Sequence, residues 1–289
     1  MSHPPADPTP DRPPTAGGIV VLVGTPIGNL GDLAPRAVET LAAADVVACE
    51  DTRRTGRLLA HAGVRANRLV VMNEHTEAAA TAELLDELDR GRLVAVVTDA
   101  GMPGISDPGE RLVRAATRAG HEVRVVPGPS AAIAGLVVSG LPAGRFVFEG
   151  FLPRRGGVRA ERLAARADEA RTIVCFESPH RIARTVVDLA DALGVDRPVA
   201  IARELTKLHE TVFRGTLGEA RAWADAGPKG ELVVVIEGAP PAGEVPDAVL
   251  EEALDAALAA GASRRDAAAE VAAAHGVPRR RVYDLAVTR

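Results

Sequence analysis

Four loops gather the residues whose types and spacing suit chemistry. The first, Gly24-Thr25-Pro26-Ile27-Gly28-Asn29-Leu30-Gly31-Asp32, has closely spaced glycines, which let a ligand approach main chain whose exposed amides favour anions. A plain glycine–proline turn explains the same residues, so both readings stay open. The second, Thr98 to Gly109 (TDAGMPGISDPG), sets small residues where a flat or crowded ligand could touch backbone, and its Asp107 and Pro108 read as the cap and first residue of a helix. The third, Pro127-Gly128-Pro129-Ser130-Ala131-Ala132, opens a helix whose first amides are free, with Ser130 as a cap or a ligand contact. The fourth, Arg203-Glu204-Leu205-Thr206-Lys207-Leu208-His209-Glu210, is a charged tip that is either a solvated turn or part of a site.

Several chemistries are excluded by what these loops lack. The first glycine loop has no Gly-Lys-Ser/Thr ending and no dinucleotide spacing, which disfavours an ATP or NAD site. His-Glu-x-x-His and Cys-x-x-Cys spacings are missing, so no metal site is expected. No Gly-x-Ser-x-Gly elbow marks a serine hydrolase.

Strands must carry these loops. Apolar, β-branched runs at 19–23, 45–50, 69–72, 93–99 and 122–126 alternate with segments of helical length, the pattern of βαβ units in a mostly parallel sheet covered on both faces. A second series follows the Ala-rich helix 130–138, at 146–151, 171–177, 198–204, 211–216 and 231–238. Only Leu205 to Glu210 separate its third and fourth runs, too few for a parallel crossover, so the second sheet must be mixed. The expected fold class is therefore α/β with two sheets and a small C-terminal helical module. The expected division is 1–17 as a disordered leader, 18–128 and 129–238 as α/β domains, 239–246 as a linker and 247–289 as the helical module. In that module Ser263 suits an N-cap with Asp266 at N3, Gly276 a C′ residue and Pro278 a first turn.

The chain has 289 residues, 25% of them charged, and a formal net charge of -5, which argues against a binder whose affinity comes from overall positive charge. Aromatic residues make up only 2%, too few for rows of base-stacking rings. Lys207 and Lys229 are the only lysines; coding bias explains the arginine excess as well as phosphate recognition does. Cys49 and Cys175 lie in separate apolar runs and read as small buried hydrophobes. Six prolines and no apolar core in the first 18 residues do not make a secretory signal, and no apolar run approaches 18 residues. A cytoplasmic protein with no membrane partner is expected.

Taken in order, GTPIGNLGD, CEDTRRTG, NEH, TDAGMPGISDPG, VPGPSA, GFLPR, FESPHR and ARELTKLHE resemble the tetrapyrrole-methylase superfamily across nearly all of residues 19–238. Within it the resemblance is to the branch that methylates the ribose 2′-hydroxyl of a decoding-centre cytidine in 16S rRNA. The C-terminal segment ending in RVYDLAV looks like that branch's small extension. The resemblance implies two α/β domains with S-adenosylmethionine folded into the cleft between them, a homodimer, and 16S rRNA or the 30S subunit as partner. It also implies donor contacts at Gly101, Met102, Gly104, Ile105, Ser130 and Ala131, with Phe176, Leu205 and Gly230 closing over them, mostly through main chain. Thr25 and Asn29 would face the acceptor.

A ribose hydroxyl is a weak nucleophile near neutral pH, so a base or a positive group that favours the alkoxide is needed. Glu204 and Lys207 are the first choice, with Asp51, Asp99 and Glu177 as further candidates. Two locally basic stretches could meet phosphate: 145–171, containing Arg154 and Arg155, and 261–289, containing Arg279, Arg280 and Arg281. A solvated helix face explains each equally well. Rival readings are a corrin-precursor or diphthine-type methyltransferase of the same superfamily, and a non-catalytic RNA-binding or ribosome-assembly factor; binding of S-adenosylmethionine separates the last.

Overall fold

The computed structural model describes residues 17–239, 245 and 247–287. The leader and most of the linker inferred from sequence lie outside the described residues. By internal contacts the described residues form two units, one holding both sheets (17–167 and 171–237) and one holding the C-terminal helices with 168–170.

The first sheet contains β1 (Ile19–Val23), β2 (Val46–Cys49), β3 (Leu69–Val71), β4 (Leu93–Val96) and β5 (Glu122–Val126). All pairings are parallel, in the order β3-β2-β4-β1-β5. Parallel strands need covered faces. One is covered by α1 (Pro35–Ala43) and α2 (Thr52–His61), through Ala37, Leu41 and Leu59. The other is covered by α3 (Glu77–Asp89) and α4 (Glu110–Arg118), through Leu84, Leu88, Leu112 and Ala116. Proline at the first position of α1 and the Asp51 carboxylate capping α2, which accepts from Arg53 N–H at 2.7 Å, explain where those helices begin.

After α5 (Ala131–Ser139) come β6 (Phe146–Phe151), α6 (Gly157–Ala164), β7 (Thr172–Glu177), α7 (Ile182–Leu193), β8 (Pro198–Arg203), β9 (Thr211–Thr216), α8 (Leu217–Asp225) and β10 (Leu232–Ile236). The second sheet has the order β6-β7-β10-β8-β9; only β6 and β7 pair in parallel. It is mixed, as the short connection between β8 and β9 requires. Its outer core includes Leu163, Ile182, Leu189, Leu217 and Ile236. On the other face α5 packs Ala132 and Leu136 against Val174, Ala202 and Val233, and Ile27 and Leu205 join the same cluster. Cys49 and Cys175 are buried free thiols; burial raises the Cys49 pKa and pushes that of Cys175 up to about 12.

The C-terminal unit packs α9 (Asp247–Ala259), α10 (Arg264–His275) and α11 (Arg279–Val287) around Leu250, Leu254, Ala267, Val271 and Val282. Ser263 caps α10 by accepting from Asp266 N–H at 3.2 Å, and Gly276 ends it in the left-handed region. Among the described residues no helix is long and apolar enough to cross a membrane.

Candidate functional site

The loops after β1, β2, β4 and β5 leave the carboxyl ends of the parallel sheet, where open α/β sheets collect ligands. They face the hairpin tip 204–210 and the entry to β10. Contact is close at Gly28, where a Cβ would lie 2.5 Å from Lys207 Cγ and 2.9 Å from the Leu205 carbonyl, so only glycine allows the two loops to meet.

Two cavities result. The larger, about 530 Å³, is lined by Ala100, Gly101, Met102 and Ile105 after β4, Ser130 and Ala131 opening α5, and Phe151, Phe176, Leu205, Gly230 and Val233 from the second sheet's side. Thus all but one of the donor-side residues named from sequence come together; Gly104 does not line the cavity. With φ at +82° it closes the turn, donating its N–H to the Pro108 carbonyl at 3.2 Å. Ser130 occupies the cap position of α5 but makes no capping hydrogen bond, which leaves its hydroxyl for a ligand.

The smaller cavity, about 480 Å³, is lined by Thr25, Pro26, Gly28, Arg57, Thr98 and Lys207 among others. Ile27, Arg54, Asp99, Ala100 and Glu231 line both cavities, so the two share a wall. Thr25 is buried and donates its hydroxyl to the Thr98 carbonyl at 3.2 Å. Asn29 is not part of this lining: its side chain accepts from Gly31 N–H at 3.0 Å and caps the short 3₁₀ turn Leu30–Asp32.

Carboxylates gather at the shared wall and beside it in the larger cavity. Asp99 Oδ2 lies 3.2 Å from Arg54 Nη1, while Asp99 Oδ1 is buried without a hydrogen-bond partner. Burial raises the Asp99 pKa and Arg54 opposes the rise. Glu50, in the larger cavity, is raised by burial and by Asp99. Asp107 is pushed up to about 7, first by burial and then by Glu50 and Asp99. Asp107 is not the helix cap expected from sequence. Gly109 occupies that position, its N–H donating to Glu77 Oε1 at 3.0 Å, and α4 begins only at Glu110, which leaves Asp107 in the cavity wall.

The remaining charged candidates sit differently. Glu177 is 2% exposed and saturated: it accepts from Ser178 N–H at 2.7 Å and from the Thr185 hydroxyl at 2.6 Å, and Arg181 Nε lies 3.2 Å away. Asp51 is spent on capping α2 and on Arg53, whose hydrogen bonds hold its carboxyl down to about 2. Glu204 lines neither cavity. Its Oε1 accepts from Lys207 Nζ at 2.8 Å and from Glu231 N–H at 3.0 Å, and the Lys207 bond lowers its pKa, making it a poor proton acceptor. Burial pulls the Lys207 pKa down, but bonds to Glu204 and Glu231 outweigh it, so the net shift is upward and Lys207 stays an ammonium.

Arg154 and Arg155 are exposed, as phosphate contact requires, whereas Arg159 in the same stretch is 4% exposed and bound to Asp188, Pro153 and Thr185. In α11, Arg281 is tied to Asp247 and the Val245 carbonyl, Arg279 reaches the Arg265 carbonyl, and Arg280 is exposed. Sequence reasoning missed Glu50, Arg54, Ser106 and Ser178 in the larger cavity. The signal for the first two lay in CEDTRRTG, where Glu50 directly follows β2 and Arg54 sits in the first turn of α2.

An α/β unit of two five-stranded sheets with adjoining cavities at the strand ends has room for two ligands side by side, as a group-transfer enzyme needs, and the comparisons supply the family. Residues 20–221 match the family Tetrapyrrole (Corrin/Porphyrin) Methylases, and this chain belongs to it. Residues 244–289 match the family described as RsmI C-terminal HTH domain. A curated relative from Mycobacterium tuberculosis, named Ribosomal RNA small subunit methyltransferase I, is 48% identical over 271 residues, covering 93% of this chain and 94% of its own. A relative of the same name from Synechocystis sp. is 45% identical over 273 residues, covering 93% and 98%. Among solved structures, uroporphyrin-III-C-methyltransferase from Thermus thermophilus superposes with a TM-score of 0.54 at 27% identity, over 75% of this chain and 94% of that one.

Proposed function

We propose that this protein is an S-adenosylmethionine-dependent rRNA methyltransferase that modifies the ribose 2′-oxygen of a decoding-centre cytidine in 16S rRNA. The observation that carries the reading is the pair of cavities sharing the Asp99–Arg54 wall: one group can lie in each, with the reacting atoms brought together at the partition. The name shared by relatives at 48% and 45% identity supports rRNA as the substrate class.

The larger cavity fits the donor. Small residues at Ala100, Gly101 and Ala131 leave main chain open to it, the Ser130 hydroxyl is uncommitted, and Glu50, Asp99 and Asp107 suit a positively charged ligand. In our reading Gly101, Met102, Ile105, Ser130 and Ala131 hold it from one side and Phe176, Leu205 and Gly230 from the other, with Gly104 shaping the loop. When bound, S-adenosylmethionine supplies an activated methyl carbon to an oxygen nucleophile. The chain's own part is alignment and exclusion of water, which the apolar wall of Ile27, Met102, Phe151 and Phe176 serves. Lys207, an ammonium in the smaller cavity, favours negative charge on an acceptor oxygen there, and Glu204 fixes its position.

RNA contact is assigned to exposed Arg154, Arg155 and Arg280, with Thr25 shaping the acceptor wall; Asn29, Arg279 and Arg281 support their own loops and helices. We further propose that 18–128 and 129–238 act as the two lobes, that 239–246 tethers 247–289 as a separate RNA-contacting module, and that the enzyme works as a cytoplasmic homodimer on 16S rRNA or the 30S subunit.

Methyl transfer from labelled donor to 30S particles lacking the modification tests this, with the labelled ribose mapped afterwards. One labelled cytidine ribose is expected. Label on a base, or none on RNA, would overturn it, and a folded protein that binds no donor in calorimetry would favour the assembly-factor reading.

A further inference from the structure

Asp99 is the half-buried carboxylate, its side chain 19% exposed, that reaches both cavities. Glu231 also lines both, but its side chain is 71% exposed and Lys207 Nζ holds it at 2.8 Å. Glu50 and Asp107 face only the larger cavity. Asp99 has one buried oxygen that meets no donor in good hydrogen-bond geometry, the Asp51 N–H nearby helping only weakly, and the other oxygen on Arg54, whose side chain is 61% exposed and therefore free to swing toward solvent or a ligand. The groups facing Asp99 are Arg54 and Asp51 from α2 and its cap, Glu50 at the end of β2, and Asp107 from its own loop. Arg57 and Lys207 line the smaller cavity with Asp99 as well, but among the described residues Arg54 is the one cation within ion-pair distance of it.

We infer that Arg54 and Asp99 are an exchangeable pair: a phosphate of the acceptor strand takes the guanidinium, and the released Asp99 carboxylate accepts the proton of the ribose hydroxyl. The inference rests on the methyl-transfer reading. The hydroxyl oxygen forms a bond to the methyl carbon as the carbon–sulfur bond breaks, sulfur keeps that electron pair, and the hydroxyl proton moves to Asp99. Exchange improves the base when it is needed, because losing its cation leaves Asp99 among Glu50, Asp51 and Asp107, where charge is harder to bear and a proton is held more tightly. Without RNA, the pair keeps both groups occupied.

The test compares Asp99→Asn with Arg54→Gln, in donor-free binding to 30S particles and in turnover. Asp99→Asn should lose about 100-fold in kcat. Its donor-free affinity for 30S should stay equal or rise a few-fold, since Arg54 is no longer held back. Arg54→Gln should bind RNA more weakly, with a salt slope lower by about one, and its acid limb in the pH profile of kcat/KM should move to higher pH. Turnover of Asp99→Asn within threefold of wild type, an RNA affinity that falls as far in Asp99→Asn as in Arg54→Gln, or an unmoved acid limb would each overturn the exchange. Wild-type protein that leaves 30S unlabelled would defeat the underlying reading instead, an outcome separate from these because it appears before any substitution is made.

Discussion

Glu177, the last residue of β7, and Asp99, just beyond β4, both line the larger cavity and both sit beside arginine, yet their surroundings treat them in opposite ways. Around Glu177 every oxygen is used. Thr185 links it to Arg159, which reaches Asp188 and the Pro153 carbonyl, while Arg181 bonds the Leu152 carbonyl at 2.6 Å, so two carboxylates and two guanidiniums tie α6, β7, α7 and the segment just after β6 together. Around Asp99 one oxygen is left short and the lone cation is mostly in water. A carboxylate with its hydrogen bonds filled is framework. One held partly desolvated and underpaired keeps a drive to bind a proton, which is what proton transfer needs.

This contrast is broken most decisively by exchanging stability against activity. Glu177→Ala leaves Arg181 without its buried anion and the Thr185 hydroxyl without its acceptor, and should cost about 3 kcal/mol in urea unfolding, whereas Asp99→Asn should unfold near the wild-type midpoint while losing turnover. The reverse pattern would exchange the two roles. A smaller change, Thr185→Val, removes the hydroxyl between Glu177 and Arg159 and should cost about 2 kcal/mol, read in the same unfolding series.

Asp107 sharpens the comparison on the underpaired side. Its carboxyl is pushed up to about 7 by burial and by Glu50 and Asp99, so the folded protein holds a proton that an ordinary unfolded aspartate, near 3.9, releases. Stability therefore declines as pH rises from about 4 to about 7 and is flat above. Asp107→Asn should lack that decline, and its gain over wild type in urea midpoint should grow from pH 5 to pH 8. The smallest effect separates inward from outward arginines: Arg280→Gln should lower the salt slope of RNA binding by about one without changing the melting temperature, while Arg281→Gln should loosen α11 from Asp247 and leave that slope unchanged.

Much of the framework was legible in the sequence because strand runs state their own limits. β1, β5, β6 and β9 begin and end where the apolar runs do, and the short β8–β9 connection dictates a mixed sheet. The clustering of Gly101, Met102, Ile105, Ser130 and Ala131 in one cavity could be read as well, through the ordered runs TDAGMPGISDPG and VPGPSA. What the sequence hid were choices made by packing. Nothing local distinguishes Arg159, folded inward onto Asp188, from Arg155 four residues earlier in solvent. Asp107 preceding proline has the grammar of a helix cap, but the hydrogen bond from Gly104 to Pro108 finishes a turn first and defers the helix to Glu110, with Gly109 as its cap. Glu204 and Lys207 are nearby charges in the sequence, but only the fold shows that their mutual bond lowers the Glu204 pKa and so weakens it as a base.

The sealed thiols have a practical corollary. Cys49 and Cys175 are shielded from solvent and resist ionisation, so a maleimide dye offered near neutral pH would find no native target on the folded enzyme. Leu208, 92% exposed at the hairpin tip, is then a natural place for an introduced cysteine. A fluorophore there would report optically on what happens beside the smaller chamber as substrate arrives, with no need to strip other labels away first.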